Sequence, residues 1–195
     1  RYVFELIDHL QKIDTVNHYV LFFNKVGFEE FTPSRKGVEK IRVNIPHYSL
    51  REQFSYWRIL RRANLDLMHF THFNAPIFYR RPTIVTIHDL TLSIFPGNKM
   101  DDWLHRLGYN LTINSIVGRS KRVIAVSEHT KRDLVRILKT DPDKVSVIHE
   151  GVNPAFHKIG DRKIVDEFLQ RSGLTMPYLL YTGVWRSHKN LVNLI

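Results

Sequence analysis

The chain has 195 residues, 43% of them hydrophobic, no cysteine and a formal net charge of +10. That length and apolar content suit one globular domain and the start of a second, and exclude a disordered chain. The absence of cysteine excludes disulfides and thiolate metal sites and fits a cytosolic protein, no apolar run reaches membrane-span length, and the positive charge implies an anionic partner.

Residues 1–11 carry Val3, Leu6, Ile7 and Leu10 at helical spacing. Residues 19–23 and 41–45 read as strands. Residues 49–63 read as an aromatic and basic helix with Leu50, Phe54, Trp57 and Leu60 on one stripe, flanked by Arg51, Arg58, Arg61 and Arg62. The commoner outcome for such a helix is a buried stripe with solvated arginines. The sharper one is an interfacial helix attracted to anionic lipid.

Residues 66–70 and the β-branched run 83–87 are expected strands, 101–119 a long helix, 123–126 a strand, 128–139 a helix and 145–148 a strand. A polar helix follows at 161–172. Apolar strands alternating with amphipathic helices predict an α/β fold, a Rossmann-like parallel sheet covered on both faces. A boundary falls near 150–156, so we expect a first domain at 1–149 and the truncated start of a second, also Rossmann-like, at 150–195.

In the last segment, YLLYTGVWRSHKNLVNLI, residues 178–181 read as a buried strand and residues from 190 onward as a helix. Between them Gly183 opens a loop carrying Arg186, His188 and Lys189. A strand, a basic loop and a helix start together predict an anion site. The chain opens inside a helical pattern and stops six residues after Lys189. It is therefore expected to be a fragment without transfer activity of its own.

Ligands of parallel sheets bind at the carboxyl ends of the strands. Here those ends carry His69 and His72, then His88-Asp89, then Ser127, and finally His149-Glu150. Ser127 reads as a helix N-cap, since no Gly-x-Ser-x-Gly elbow surrounds it. Asp89 suits an Asx-turn. His88, where a buried strand meets a loop, is the strongest candidate for chemistry. His69, His72, His88 and Asp89 offer ligand types for zinc or iron, but without an HExxH helix a metal hydrolase is the weaker reading.

Four segments in order carry a family resemblance: 67–76 (LMHFTHFNAP) with 86–90 (TIHDL), 127–134 (SEHTKRDL), 147–153 (VIHEGVN) and 181–191 (YTGVWRSHKNL). Together they resemble the GT-B-fold glycosyltransferases of family 4, especially the subgroup containing O-antigen mannosyltransferases. The resemblance implies two Rossmann-like domains facing across a cleft, with a GDP- or UDP-sugar as donor substrate and no metal or other cofactor. It implies a retaining transfer, mannose being one candidate sugar, to a lipid-linked or polysaccharide acceptor. Such an enzyme would work in the cytoplasm, peripheral to an anionic membrane surface, with no role for nucleic acid.

By motif position, Lys189 contacts the donor diphosphate with Gly183 and Arg186 beside it. His88 lies near the transferred sugar, Asp89 orients its loop, and His72 and Asn74 line the acceptor side. Many relatives carry arginine directly after the glycine, where this chain has Val184. The family's Gly-rich loop before residue 1 and its later Glu-x7-Glu segment lie outside these residues. The alternative left open by composition is a non-enzymatic basic Rossmann-like module that binds anionic lipid or nucleic acid.

Overall fold

A computed structural model describes residues 1–45, 52–97, 102–153 and 155–194. The chain forms two compact units, Arg1–Glu150 and Gly151–Ile195. The first residues of the helix expected at 49–63, including Leu50 and Arg51, lie outside the described residues. So do positions 101, 154 and 195 of the other expected elements.

In the first unit, α1 (Tyr2–Ile13) is followed by β1 (Tyr19–Phe23), α2 (Lys25–Glu30) and β2 (Val38–Arg42). A π-helical turn (Glu52–Tyr56) leads into α3 (Trp57–Arg62). Then come β3 (Met68–Phe70), β4 (Thr83–Ile87), α4 (Thr91–Ile94), α5 (Trp103–Arg119), β5 (Arg122–Ala125), α6 (Glu128–Leu138) and β6 (Val145–Val147). The alternation of strand and helix agrees with the α/β expectation.

Among the described residues all pairing is parallel, but the strands form two sheets where one was expected: β1-β2, and β3-β4-β5-β6. Strand patterning marks which segments pair, not which pairs merge, because backbone ladders are indifferent to sequence. Both sheets share one core, since Phe22 of β1 packs against the cluster built on the larger sheet. The second strand also starts three residues earlier than the apolar run suggests. Its register, Tyr19↔Val38 through Phe23↔Arg42, is set by pairing with β1. Val43 N–H still extends the ladder to the Phe23 carbonyl at 2.7 Å.

β4 is the centre of this unit. Thr83, Val85, Thr86 and Ile87 are buried, as a strand covered on both faces requires. Against it lie Ile113, Ile116 and Val117 of α5 and Leu134 of α6, all buried. The helices start where short polar side chains can cap them. Asp102 accepts from Leu104 N at 3.0 Å, and Ser127 accepts from Thr130 N at 3.1 Å, the role expected of Ser127.

The second unit contains α7 (Arg162–Arg171), capped by Asp161, and two 3₁₀ turns, Ser187–Lys189 and Leu191–Asn193. The strand expected at 178–181 is not formed. Leu179 and Leu180 are 90% and 75% exposed. An apolar run becomes a strand only when a neighbour takes up its backbone groups, and no strand occurs among the described residues of this unit. The helix expected from 190 is likewise only a 3₁₀ turn, preceded by Asn190 in the left-handed region at φ 53°. Among the described residues of the whole chain, no helix is long and apolar enough to cross a membrane.

Arg119, at the end of α5, fixes the loop after β3. Its guanidinium donates to the carbonyls of Ile77 at 2.5 Å and Pro76 at 2.7 Å. Burial, with a smaller effect from the Arg80 charge, pushes its pKa down to about 10, so it remains charged. Arg119→Ala leaves both carbonyls without their charged donor and should lower unfolding free energy by about 3 kcal/mol. Urea denaturation measures this; an unchanged midpoint would show that the two contacts contribute nothing.

Candidate functional site

Because β3 to β6 run parallel, their carboxyl ends emerge along one edge of the sheet. That edge brings together residues far apart in sequence. Buried β4 delivers His88 to the edge, half-buried, with 30% of its side chain exposed. Its Nδ1 lies 2.9 Å from Glu150 Oε1, beyond the end of β6. Its Nε2 lies 3.1 Å from the Thr71 carbonyl, just beyond β3. The Tyr2 ring of α1 meets the imidazole edge-on, with centroids 4.9 Å apart at 88°.

Both ring nitrogens therefore face oxygens that accept. A doubly protonated ring makes both contacts, and a neutral ring makes one. The backbone is held too, because the His88 carbonyl accepts from Thr130 Oγ1 at 3.1 Å. Thr130 is in turn tied to Ser127 at the start of α6, with the two hydroxyls 3.0 Å apart. Three strand ends and two helices thus determine where this imidazole sits.

Asp89 does something different. Its carboxylate accepts from Thr91 N at 2.8 Å, forming the Asx-turn that starts α4. The carboxylate facing His88 is that of Glu150. Sequence reasoning placed Glu150 among the polar strand ends without giving it a role. Only its position after the outermost strand of the sheet could have pointed to it. Thr71 lay within the 67–76 segment without being given a role, and Tyr2 carried no signal.

His72 and Asn74 lie on the loop after β3. The His72 ring is exposed and sits against Phe73, with centroids 4.3 Å apart. Its Nδ1 accepts from Asn74 N at 3.3 Å. Phe73 is buried and packs edge-on against Tyr109 of α5, which anchors this loop. His72, Asn74, His88 and Asp89 therefore share one sheet edge, at the ends of the adjacent strands β3 and β4.

His69, within β3, is bonded inward. Its Nε2 lies 2.9 Å from Thr86 Oγ1, which is also 3.2 Å from the Tyr2 hydroxyl. Burial lowers the His69 pKa below its ordinary value of 6.5. Among the described residues no three His, Asp or Glu side chains come together as a metal-binding cluster.

In the second unit, Gly183, Arg186 and Lys189 share one short loop. Lys189 N donates to the Arg186 carbonyl at 2.9 Å, closing the single 3₁₀ turn Ser187–Lys189. Both basic side chains are exposed. Gly183 has φ +154°, and a Cβ there would approach the Tyr181 hydroxyl to 2.7 Å. A three-residue turn has little macrodipole, so any anion affinity of this loop rests on its side-chain charges and not on a helix terminus.

The chain matches the family model described as Glycosyltransferase Family 4 over residues 1–156. It is 26% identical to the O-antigen chain mannosyltransferase RfbU of Salmonella typhimurium over 146 residues. That alignment covers 73% of this chain and 36% of the relative. It is 32% identical to the uncharacterized glycosyltransferase MJ1607 of Methanocaldococcus jannaschii over 90 residues, 45% of this chain and 22% of that one. Among solved structures, a glycosyltransferase from Rickettsia africae superposes with a TM-score of 0.52 at 16% identity, covering 98% of this chain and 52% of that one. The chain thus spans about a third of the mannosyltransferase and half of the solved structure.

Two outcomes test this geometry. Removing the carboxylate in Glu150→Ala should reorient the His88 ring off the Tyr2 edge and shift the imidazole C–H resonances in NMR spectra. Unchanged His88 signals would show that the pair does not form in solution.

For His69, the unfolded chain binds more protons than the folded one once pH falls below about 6.5. Its contribution to stability is present above that pH and is lost as pH falls through the lowered folded value. His69→Gln should therefore flatten the acid limb of a melting-temperature profile. An identical limb in the variant would contradict the depressed pKa.

Proposed function

The chain belongs to Glycosyltransferase Family 4, and from that premise we propose that it is part of an enzyme moving a sugar from a GDP- or UDP-sugar to a lipid-linked or polysaccharide acceptor, with retention of anomeric configuration. Mannose is the favoured sugar, because the chain is similar to an O-antigen chain mannosyltransferase over 73% of its length. The observation that carries the reading is His88. An imidazole held by three strand ends, on the edge where parallel sheets generally bind their ligands, supports a substrate-contacting role.

In this reading His88 touches the transferred sugar. A sugar hydroxyl replaces the Thr71 carbonyl at Nε2, while Glu150 keeps Nδ1 and with it the orientation of the ring. Asp89 is a positioning residue, setting the loop through its Asx-turn. His72 and Asn74, on the neighbouring strand end, contact the acceptor.

The departing nucleoside diphosphate gathers negative charge as the glycosidic bond breaks, and the sugar ring becomes cationic. Lys189, with Arg186 in the same turn, stabilises the diphosphate, and Gly183 lets the chain approach it closely. Two cations supply charge that a metal ion would otherwise provide. The chain's net charge of +10 favours the approach of such an anion.

Calorimetric titration of the full-length protein with a nucleoside diphosphate tests the donor assignment. Lys189→Ala should weaken binding by at least about tenfold, the loss of one charge-assisted contact. Affinity equal to the parent would remove Lys189 from the donor site.

A further inference from the structure

The helix α5, 17 residues long, is apolar on two opposite sides. Thr112, Ile113, Ile116 and Val117 are its buried residues. At about 100° per residue, Trp103, Leu104, Leu107 and Leu111 fall on the far side, and all four are exposed. A helix that is apolar all round belongs in a buried position. The short helix α4 adjoins it, with the Ser93 and Tyr109 hydroxyls 2.8 Å apart, and adds exposed Leu92, Ile94 and Phe95.

Along the exposed side of α5, bulk falls from one end to the other. Trp103, Leu104 and Leu107 stand near its start, Leu111 at its middle, and Ser115 and Gly118 towards its end. A Cβ at Gly118 would meet nothing within 4 Å among the described residues, so packing within the unit does not require glycine there. Glycine weakens a helix relative to alanine, and what it permits is the close approach of another backbone. From Leu107 to Gly118 the sequence has no Asp, Glu, Lys or Arg. That stretch offers no cation to an anionic surface or an acidic partner. In a chain of net charge +10, it is also where two copies can meet without setting like charges against each other.

We propose that this side of α5 is the contact between two copies of the protein, paired antiparallel about a two-fold axis. In such an interface each surface must fit itself in reverse. With Leu111 on the axis, Leu104 of one copy lies opposite Gly118 of the other, and Leu107 opposite Ser115. Large side chains then meet small ones, and the two helices interdigitate. A parallel pair would set Trp103 against Trp103 and Gly118 against Gly118, crowding one end and leaving the other empty. A standard interface takes roughly 800 Å² from each partner, little more than half of it apolar. The seven large apolar side chains of α5 and the α4 segment, 38–66% exposed, offer apolar area of that order.

The inference does not rest on the sugar-transfer reading, because it is measured without donor or acceptor and either can fail alone. Sedimentation equilibrium of the full-length protein should show a dimer at micromolar concentration. L107E/L111E places carboxylates in the contact from both copies and should raise the dimer dissociation constant at least about a hundredfold. Its circular dichroism spectrum should match the parent, since both side chains are exposed in a single copy.

Leu111→Cys tests the register without adding charge. These 195 residues contain no cysteine, and the parent protein treated alike is the control. Under mild oxidation Leu111→Cys should cross-link two copies, whereas Arg132→Cys, exposed on α6, should not. A parent that stays monomeric at every concentration, bare or carrying bound detergent or lipid, would overturn the proposal. So would equal dimerisation by parent and L107E/L111E, or cross-linking at position 111 no faster than at 132.

Discussion

Everything placed at the candidate site depends on the parallel pairing of β4 with β3 on one side and β5 on the other. A central parallel strand has no exposed edge and no solvent face, so it must be apolar or internally satisfied along its length. β4 meets that demand with Val85 and Ile87 packed in the core and Thr83 and Thr86 bonded within it. Thr83 lies 3.3 Å from Ser120, and Thr86 joins His69 to Tyr2. The strand can then end abruptly at the edge, and its next residue is His88. Parallel direction places the ends of β3, β5 and β6 along the same edge, which is why Thr71, Thr130 and Glu150 can all reach that one residue.

The polar bonds within the core also link structure to site. Tyr2 spans both, with its hydroxyl on Thr86 inside the unit and its ring against His88 at the edge. Moving α1 would therefore disturb the imidazole directly. Arg119 plays a similar part for the loop after β3, tying the end of α5 to Pro76 and Ile77. The loop that carries His72 and Asn74 runs into that anchored point. Its position is fixed by a half-buried cation that is fully charged at neutral pH, since even a value lowered to about 10 lies far above it.

The two units differ in how much of their order is internal. The first has two sheets, a shared core and capped helices. Among the described residues of the second, α7 and two short turns bury little beyond Leu169 and Leu191, and its longest apolar run remains exposed. Arg186 and Lys189 thus act as solvated charges in that unit, where water weakens their attraction for an anion. Among the described residues the turn is followed by a second 3₁₀ turn, so side-chain charge is what this loop presents to an anion.

The sequence alone determined the α/β class, most strands and helices, the cap role of Ser127 and the Asx-turn at Asp89. It also carried the family resemblance that the comparisons support. These are local or periodic properties: β-branched runs, helical spacing and cap residues act over a few neighbours, and short motifs keep their order. Tertiary structure decided the split into two sheets, the register of β2, the failure of 178–181 to form a strand, and the pairing of His88 with Glu150. Each of these depends on which distant segment comes alongside. Chain neighbours such as His88 and Asp89 point apart along an extended backbone, and a partner 62 positions away in the numbering is brought close only by the sheet.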